Sequence, residues 1–544
     1  MKDSLKSLQS DISDDIKPKT NLINTATSFR IPTLISAHTK LLQNDIVKFC
    51  SPKYDISGKD CPISMNPFHS GLFNLYDPGT EQNCVQQNLN PFIDQNFTFL
   101  EFASFIPSPT RPQGCSRIPT FSLSHNIYSY SHNQIREGCG DASASNQFWT
   151  LGRIVAGDNN KPVFLNLVNW LFTDNRNRKS CSTAAGSQGA WLACTIVTST
   201  EREDYLSEGI SPLFIAYQDV YGKRKEWYFQ ENQIWFDRPY DALYFSVGSG
   251  VVIRGRVYFL AYGCLRTSDG VDAYCIAPGC DNPNPNQTAC NEAQRPAIFS
   301  NKQVVNAIVD FDDNINQKPS LRIRTIPTDQ YDIGAEGRLY HFESSDITYI
   351  YKRSTAWHSL VFFGEIDLPG SLQIKWYPIN TFSRPGNNVC SAANRCPTLC
   401  VTGVYTDYYP LNLLGNLGIS VILRSQIQRV NPTIRIATRD QGLAMYSIFG
   451  ANQRAAYTMT TCFKFDAQIW CLSIIEMAPG TLGSFQPVSL LYPINYMCAP
   501  SNALDISNQD EGSGDDEGLI FPDGWRVFKV KGLWRTQDGI AKHE

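Results

Sequence analysis

From about residue 66 to residue 495, short apolar and aromatic runs alternate with clusters of Gly, Pro, Asn and Asp. "VYFLAYG" (257–263), "LRIRTI" (321–326), "ITYIYKR" (347–353) and "IWCLSIIEM" (469–477) are examples. β-Branched and aromatic runs bounded by turn formers read as strands. The pattern predicts an all-β body, and a sheet protein of about 430 residues has to dispose of its edges, which a radial propeller does. The flanks differ. In residues 1–65, Leu5, Leu8, Ile12 and Ile16 step by three or four, and Ile23 follows seven later. A stripe this narrow buries little unless several copies pack together, so it predicts a helical stalk that oligomerises. Pro18 and Pro32 break any single continuous coiled coil, and a disordered leader is the competing reading. Residues 496–544 begin with an acidic, Gly-rich linker, "NQDEGSGDDEG" (508–518), followed by alternating apolar and basic residues. That last stretch reads as a strand docked on the body or a disordered tail. Trp525, Phe528 and Trp534 favour docking, because leaving them in water is costly.

Composition narrows the class. The net charge of −4 over 544 residues offers nothing basic enough for nucleic acid. Seventeen cysteines are dispersed along the chain and only seven histidines accompany them, which argues against a zinc scaffold. Dispersed cysteines in a large chain point to an oxidising, extracellular compartment. Sequons at Asn96 and Asn286 agree with it. The odd count leaves at least one thiol free or bonded to another chain. No apolar run reaches the roughly 18 residues of a membrane helix, and no signal peptide follows Met1. These facts are reconciled if the chain is an ectodomain whose membrane anchor lies outside it.

Candidate chemistry starts with three arginines beside strand-like segments: Arg117 in "GCSRIPTF", Arg353 in "YIYKRST" and Arg429 in "IQRVNP". In a closed propeller, distant strands converge on one axis. Three guanidiniums there would form a fixed anion site, best matched to carboxylate. Each arginine taken singly is better read as a solvated strand-end residue. Carboxylates recur at turns, with Asp141 in "GCGDAS", Glu201 in "TSTEREDY" and Glu336 in "GAEGR", and Tyr457 sits in "RAAYTMTTCF". "NRKSCS" (177–182) places two cations beside a cysteine and suits either a stapled loop or an anion pocket. Read this way, the residues lead to an anionic-ligand site at the centre of a β-propeller.

Seven motifs in order go further: "SFIPSPT", "CSRIPTF", "NRKSCS", "TEREDY", "GAEGR", "RPGNNVCSAANRCPTLCVTGVYTD" and "AAYTMTTCFK". Together, over residues 104–476, they resemble the paramyxovirus haemagglutinin-neuraminidase family of attachment glycoproteins. The resemblance implies a six-bladed β-propeller head (66–495) on a helical stalk (1–65), with 496–544 as a C-terminal extension. It implies a pocket that binds and hydrolyses terminal sialic acid. By motif, Arg117, Arg353 and Arg429 match the triad that clamps the sugar carboxylate, and Tyr457 the nucleophile. Glu336 matches the carboxylate that activates it, and Asp141 the acid/base on the leaving oxygen. Lys179, Glu201, Tyr244, Tyr262 and Ile118 match pocket contacts, and Glu476 the carboxylate that orients the first arginine. A neutral tyrosine avoids the repulsion a carboxylate nucleophile would meet at an anomeric centre that itself bears a carboxylate.

The resemblance also implies bridges Cys115–Cys139, Cys181–Cys194, Cys390–Cys400, Cys462–Cys471 and Cys290–Cys396. The pairing of Cys264, Cys275, Cys280 and Cys498 stays open, and one of Cys50, Cys61 or Cys84 would join stalks between chains. In "EDYLSEG" (203–209), Asp204, Ser207 and Gly209 resemble a segment that holds a structural calcium, the competing reading being a plain turn. No cofactor is expected for catalysis. The implied partners are sialylated host glycans, a viral fusion glycoprotein and further copies of the chain in a homodimer or homotetramer, on the virion envelope and host cell surface. A pure attachment protein for a host protein receptor is the alternative. A cellular or bacterial sialidase would carry S-x-D-x-G-x-x-W boxes, and none is apparent.

Overall fold

The computed structural model describes residues 98–100, 115–135, 144–157, 161–197, 204, 208–266, 303–327, 334–343, 346–353, 362–376, 403–411, 417–423, 429–438, 442–447, 453–465, 468–478, 485–494, 519–520, 526–530 and 533–536. The stalk expected at 1–65 lies outside them, as do both sequons.

Six antiparallel sheets follow one another along the chain and are arranged as the blades of a propeller. Blade 1 is Cys115–Ser124, Ile127–Ile135, Ser145–Ala156 and Pro162–Phe172. Blade 2 is Arg178–Ala185, Gly189–Ile196, Leu213–Asp219 and Arg224–Phe229. Blade 3 is Tyr240–Phe245, Arg256–Leu265, Gln303–Asp312 and Arg322–Thr325, with Trp235–Phe236 added in parallel at its outer edge and Val251–Ile253 beside its second strand. Blade 4 is Gly337–Phe342, Ile347–Lys352, Phe362–Ile366 and Ile374–Trp376. Blade 5 is Tyr409–Pro410, Leu417–Leu423, Pro432–Thr438 and Gly442–Ser447. Blade 6 is Arg454–Phe465, Gln468–Ala478 and Gln486–Ile494, completed on the outside by Thr98–Leu100 from the other end of the body. Taking its last strand from the N-terminal side closes the ring through strand pairing and covers an edge that would otherwise be open.

The runs chosen from the sequence all fall on strands: 257–263 within Arg256–Leu265, 321–326 around Arg322–Thr325, 347–353 over Ile347–Lys352 and 469–477 within Gln468–Ala478. Strands such as Gly189–Ile196 and Tyr240–Phe245 are buried at every position, as sheets packed between two neighbouring blades require. One buried cluster joins blades 1, 4, 5 and 6, and a second joins blades 2 and 3. Two large core indoles have their N–H satisfied: Trp149 Nε1 donates to Ser129 Oγ at 2.9 Å and Trp191 Nε1 to Asp313 Oδ1 at 2.6 Å.

Contacts close to the axis run around the whole ring. Thr183 N donates to Thr120 Oγ1 and Gly250 N to Thr183 O. Val247 bridges Gly337, Arg338 pairs with Asp407, Thr406 bridges Thr458, and Ile118 N donates to Glu476. Two disulfides link strand neighbours, Cys181–Cys194 in blade 2 and Cys462–Cys471 in blade 6. Cys115 is also disulfide-bonded, and its expected partner Cys139 lies outside the described residues, as do the cysteines of the two remaining expected bridges. Cys264 is buried in blade 3.

The C-terminal segment forms a small sheet: Leu519–Ile520 pairs with Arg526–Val530, which pairs with Leu533–Thr536. It is therefore three strands paired to one another, where the sequence suggested one strand or none. Among the described residues no helix is long and apolar enough to cross a membrane.

Candidate active site

Four inner strands share one local device near their first residues. In blade 1 four residues, Arg117 to Thr120, lie opposite three, Asn133 to Ser131. Lys179 to Ser182 in blade 2 and Ala455 to Thr458 in blade 6 each insert one residue in the same way, and blade 3 does so between Tyr240 and Ala242. A β-bulge re-aims the side chains beside it. Two of these bulges carry positive φ on residues with side chains, Ile118 at 56° and Ser180 at 49°. A β-branched residue there is strained and has to be held by its surroundings.

Glu476 does the holding in blade 1. Its fully buried carboxylate accepts the Ile118 N–H and, at 3.2 Å, the Tyr457 N–H, and it pairs with Arg117 at 3.5 Å. One carboxylate thus anchors two bulges and the first arginine. The Arg117 guanidinium also lies 5.2 Å from the Phe485 ring and 5.9 Å from the Tyr457 ring.

The "GAEGR" turn is built to present Glu336. A side chain on Gly334 would meet the Val305 carbonyl at 2.2 Å, and one on Gly337 would meet the Tyr351 carbonyl at 2.2 Å. Between them Ala335 is gripped from both ends, its N–H donating to Asn306 Oδ1 at 3.2 Å and its carbonyl accepting Asn306 Nδ2 at 2.7 Å.

Tyr457 Oη donates to Glu336 Oε1 at 2.6 Å. Arg353 Nη1 donates to Glu336 Oε2 at 2.7 Å and to Tyr457 Oη at 3.1 Å. Its other arm meets the Gly403 carbonyl at 3.2 Å, and Arg429 reaches the same carbonyl at 2.9 Å. Burial works against the Arg353 charge, but Tyr457 and Glu336 outweigh it, so this guanidinium holds its proton above the ordinary arginine range. Arg429 is exposed as a whole residue, yet its guanidinium is crowded. Desolvation and the Arg353 and Arg117 charges lower its proton affinity, with Tyr457 and Glu336 opposing. The three guanidiniums thus lie close enough for Arg353 and Arg117 to act on Arg429.

Of the other sequence candidates, Tyr262 acts electrostatically on Arg353 and packs with its ring tilted, 5.6 Å away, against its register partner Tyr244. Lys179 is half-buried and donates to Ser145 Oγ at 3.4 Å. Asp204 accepts hydrogen bonds from the Tyr244 and Ser211 hydroxyls, and Gly209 N donates to Asp241. These oxygens are of the kind calcium takes, and each oxygen of the Asp204 carboxylate already accepts one hydroxyl. Ser207, Asp141 and Glu201 lie outside the described residues.

Sequence reasoning missed several members of the site. The Gly403 carbonyl and Asn306 had no assigned part, although an asparagine inside the apolar run "VVNAIVD" was a readable signal. In "NRKSCS", Arg178 is not a pocket cation. It is buried between Phe172 and Phe214 and held by Asp174 at 2.7 and 2.8 Å and by Tyr228 at 2.8 Å.

The family model for haemagglutinin-neuraminidase matches residues 1–495. The chain belongs to the haemagglutinin-neuraminidase family. The hemagglutinin-neuraminidase of Sendai virus (strain Z) is 33% identical over 498 residues, 92% of this chain and 85% of that one. That of human parainfluenza 1 virus (strain Washington/1957) is 32% identical over 502 residues, 92% of this chain and 86% of the relative. Among solved structures, the Parainfluenza Virus 5 hemagglutinin-neuraminidase with ligand DANA superposes with a TM-score of 0.64. It is 29% identical and covers 79% of this chain and 99% of its own. The six-bladed sheet order described above is therefore that of a haemagglutinin-neuraminidase head.

Proposed function

We propose that this member of the family is an attachment glycoprotein that binds terminal sialic acid and hydrolyses it as a retaining exo-sialidase. The observation that carries the reading is the Tyr457–Glu336–Arg353 contact beside two further arginines. The solved relative with DANA supports it. In this reading Arg117, Arg353 and Arg429 clamp the sugar carboxylate. Tyr457 attacks the anomeric carbon and its proton passes to Glu336, 2.6 Å away. As the phenolic oxygen bonds to that carbon, the glycosidic bond breaks and the departing oxygen takes a proton from Asp141. Water then attacks with Asp141 as base, the tyrosine leaves, and Glu336 returns its proton. Arg353 steadies the negative charge that passes between Glu336 and Tyr457. Lys179, Glu201 and Tyr262 line the pocket, and Tyr244, braced by Asp204, backs it.

The biological role follows the same reading: attachment by binding and release by cleavage. The stalk would assemble copies and engage the partner fusion glycoprotein at the virion envelope and host cell surface. Loss of hydrolysis in favour of a host protein receptor is the second reading, and the intact Tyr457–Glu336 contact weighs against it. The test is Tyr457→Phe. Cleavage of a fluorogenic sialoside should fall to a small residual rate while glycan binding stays measurable, and normal turnover would refute the mechanism.

A further inference from the structure

Glu336 and Tyr457 come from blades 4 and 6, whose sheets are separate. The segment between them is 403–411, the end of the motif "RPGNNVCSAANRCPTLCVTGVYTD". Thr406 bridges Thr458 in parallel, Thr458 N donates to Tyr405 O at 2.9 Å, and Asp407 N donates to Thr458 O at 3.2 Å. At the start of this segment the Gly403 carbonyl ties Arg353 and Arg429. Further along, the Asp407 carboxylate ties the strands themselves. It accepts the Thr460 N–H of blade 6 at 2.7 Å, the Tyr405 hydroxyl at 2.9 Å and the Arg338 guanidinium of blade 4 at 3.0 Å.

Arg338 lies two residues after Glu336, so the two side chains share one side of an extended chain. It is buried, and it also donates to Thr460 O and Thr461 Oγ1 at 2.6 Å and to Ser249 Oγ at 3.0 Å. Tyr405 carries the network to the reacting group, its ring 5.9 Å from that of Tyr457. Arg338 also lines a cavity of about 80 Å³ with Ser249, Tyr409 and Thr461.

We propose that Arg338 and Asp407 are positioning residues for hydrolysis: their ion pair sets the offset between the strands of Glu336 and Tyr457, and with it the contact between the Tyr457 hydroxyl and the Glu336 carboxylate. The proposal rests on the sialidase reading above. Misplacement by about 1 Å at reacting groups can cost on the order of a hundredfold in rate. A buried pair without this role would contribute only stability.

The experiment compares wild type with the Arg338→Met/Asp407→Leu double variant, since replacing both partners of a buried pair with apolar residues often preserves stability. Both are made with Tyr457 and with Tyr457→Phe, and rates on a fluorogenic sialoside are normalised to folded protein. With Tyr457 present, kcat should fall about ten- to a hundredfold while KM moves less than about threefold. In the Tyr457→Phe background the double variant should lower residual hydrolysis by less than about twofold, because the contact it positions is already gone. Full kcat in the double variant, a change in KM alone, or the same fractional loss in both backgrounds would overturn the proposal. Should the double variant not fold, Asp407→Glu carries the test. It keeps the charge and moves the carboxylate by one methylene, so a lowered kcat at unchanged KM and melting temperature supports the proposal and unchanged kcat overturns it. The Tyr457→Phe protein alone separates the two ideas. If it turns over normally, the sialidase mechanism fails and this inference with it. If it is inactive while the pair variants are fully active, only the positioning proposal fails.

Discussion

Glu476 is the most connected carboxylate of the site, and Glu476→Gln isolates its charge with little change of shape. The wild-type group is fully buried and serves three partners: Ile118 N–H, Tyr457 N–H and the Arg117 guanidinium at 3.5 Å. A glutamine keeps one acceptor oxygen and turns an NH₂ toward the other amide, so one buried N–H loses its acceptor. That costs about 1–3 kcal/mol. The loose Arg117 pair contributes roughly 1–2 kcal/mol more, well under the 3–5 of a tightly bonded buried pair. The expected loss is about 2–5 kcal/mol, read as a lower urea midpoint at unchanged slope. Activity should fall as well, because Ile118 no longer has its strained backbone held and Arg117 is free to swing. If roughly 2 kcal/mol of this reaches the transition state, kcat/KM drops about thirtyfold. Glu476→Gln stability within about 0.5 kcal/mol of wild type, together with undiminished kcat/KM, would refute the anchoring role.

Two further outcomes follow from buried groups outside the chemistry. His132 is buried against Phe148, with Nδ1 3.0 Å from the Tyr130 hydroxyl, and burial lowers its pKa to about 3. The folded protein then keeps this imidazole neutral while the unfolded chain protonates it near pH 6.5, so its stabilising effect is complete above that pH and is lost as pH falls toward 3. Between pH 7 and pH 5 the loss is about 2 kcal/mol, and His132→Phe should flatten the pH dependence of the unfolding midpoint by that amount; an unchanged slope would contradict it. Adjacent residues of "NRKSCS" should fail differently. Arg178→Met should cost about 2–3 kcal/mol of stability, discounted because Asp174 is partly exposed, whereas Lys179→Ala should raise KM and leave the unfolding midpoint nearly unchanged.

Much of the fold was readable because its signal is local. Strand residues declare themselves by alternation and by bounding turn formers, and the four runs picked from sequence all became strands. The two cysteine pairs that sit in described strands, Cys181–Cys194 and Cys462–Cys471, were implied by motif and are present. At the site, Arg117, Arg353, Arg429, Glu336, Tyr457 and Glu476 were named by motif, and they come together at the axis. What stayed hidden had no local signature. Nothing in "CSRIPTF" shows that Ile118 takes a positive φ, and nothing in "NRKSCS" shows which cation turns into the core. Nothing in residues 496–544 separates one strand from a small sheet.

By itself, then, the sequence determined the strand content, the family and which side chains match its site motifs, because each is written in residue type and near-neighbour spacing. Only the tertiary structure decided how those groups meet. Ring closure by Thr98–Leu100 brings blade 6 beside blade 1. One inserted residue in each of four inner strands re-aims the side chains at the axis, and buried polar ties at Glu476, Asn306 and Asp407 hold them there. The hydrogen bond between Tyr457 and Glu336 spans 121 residues of chain, a separation over which spacing carries no information and only packing does.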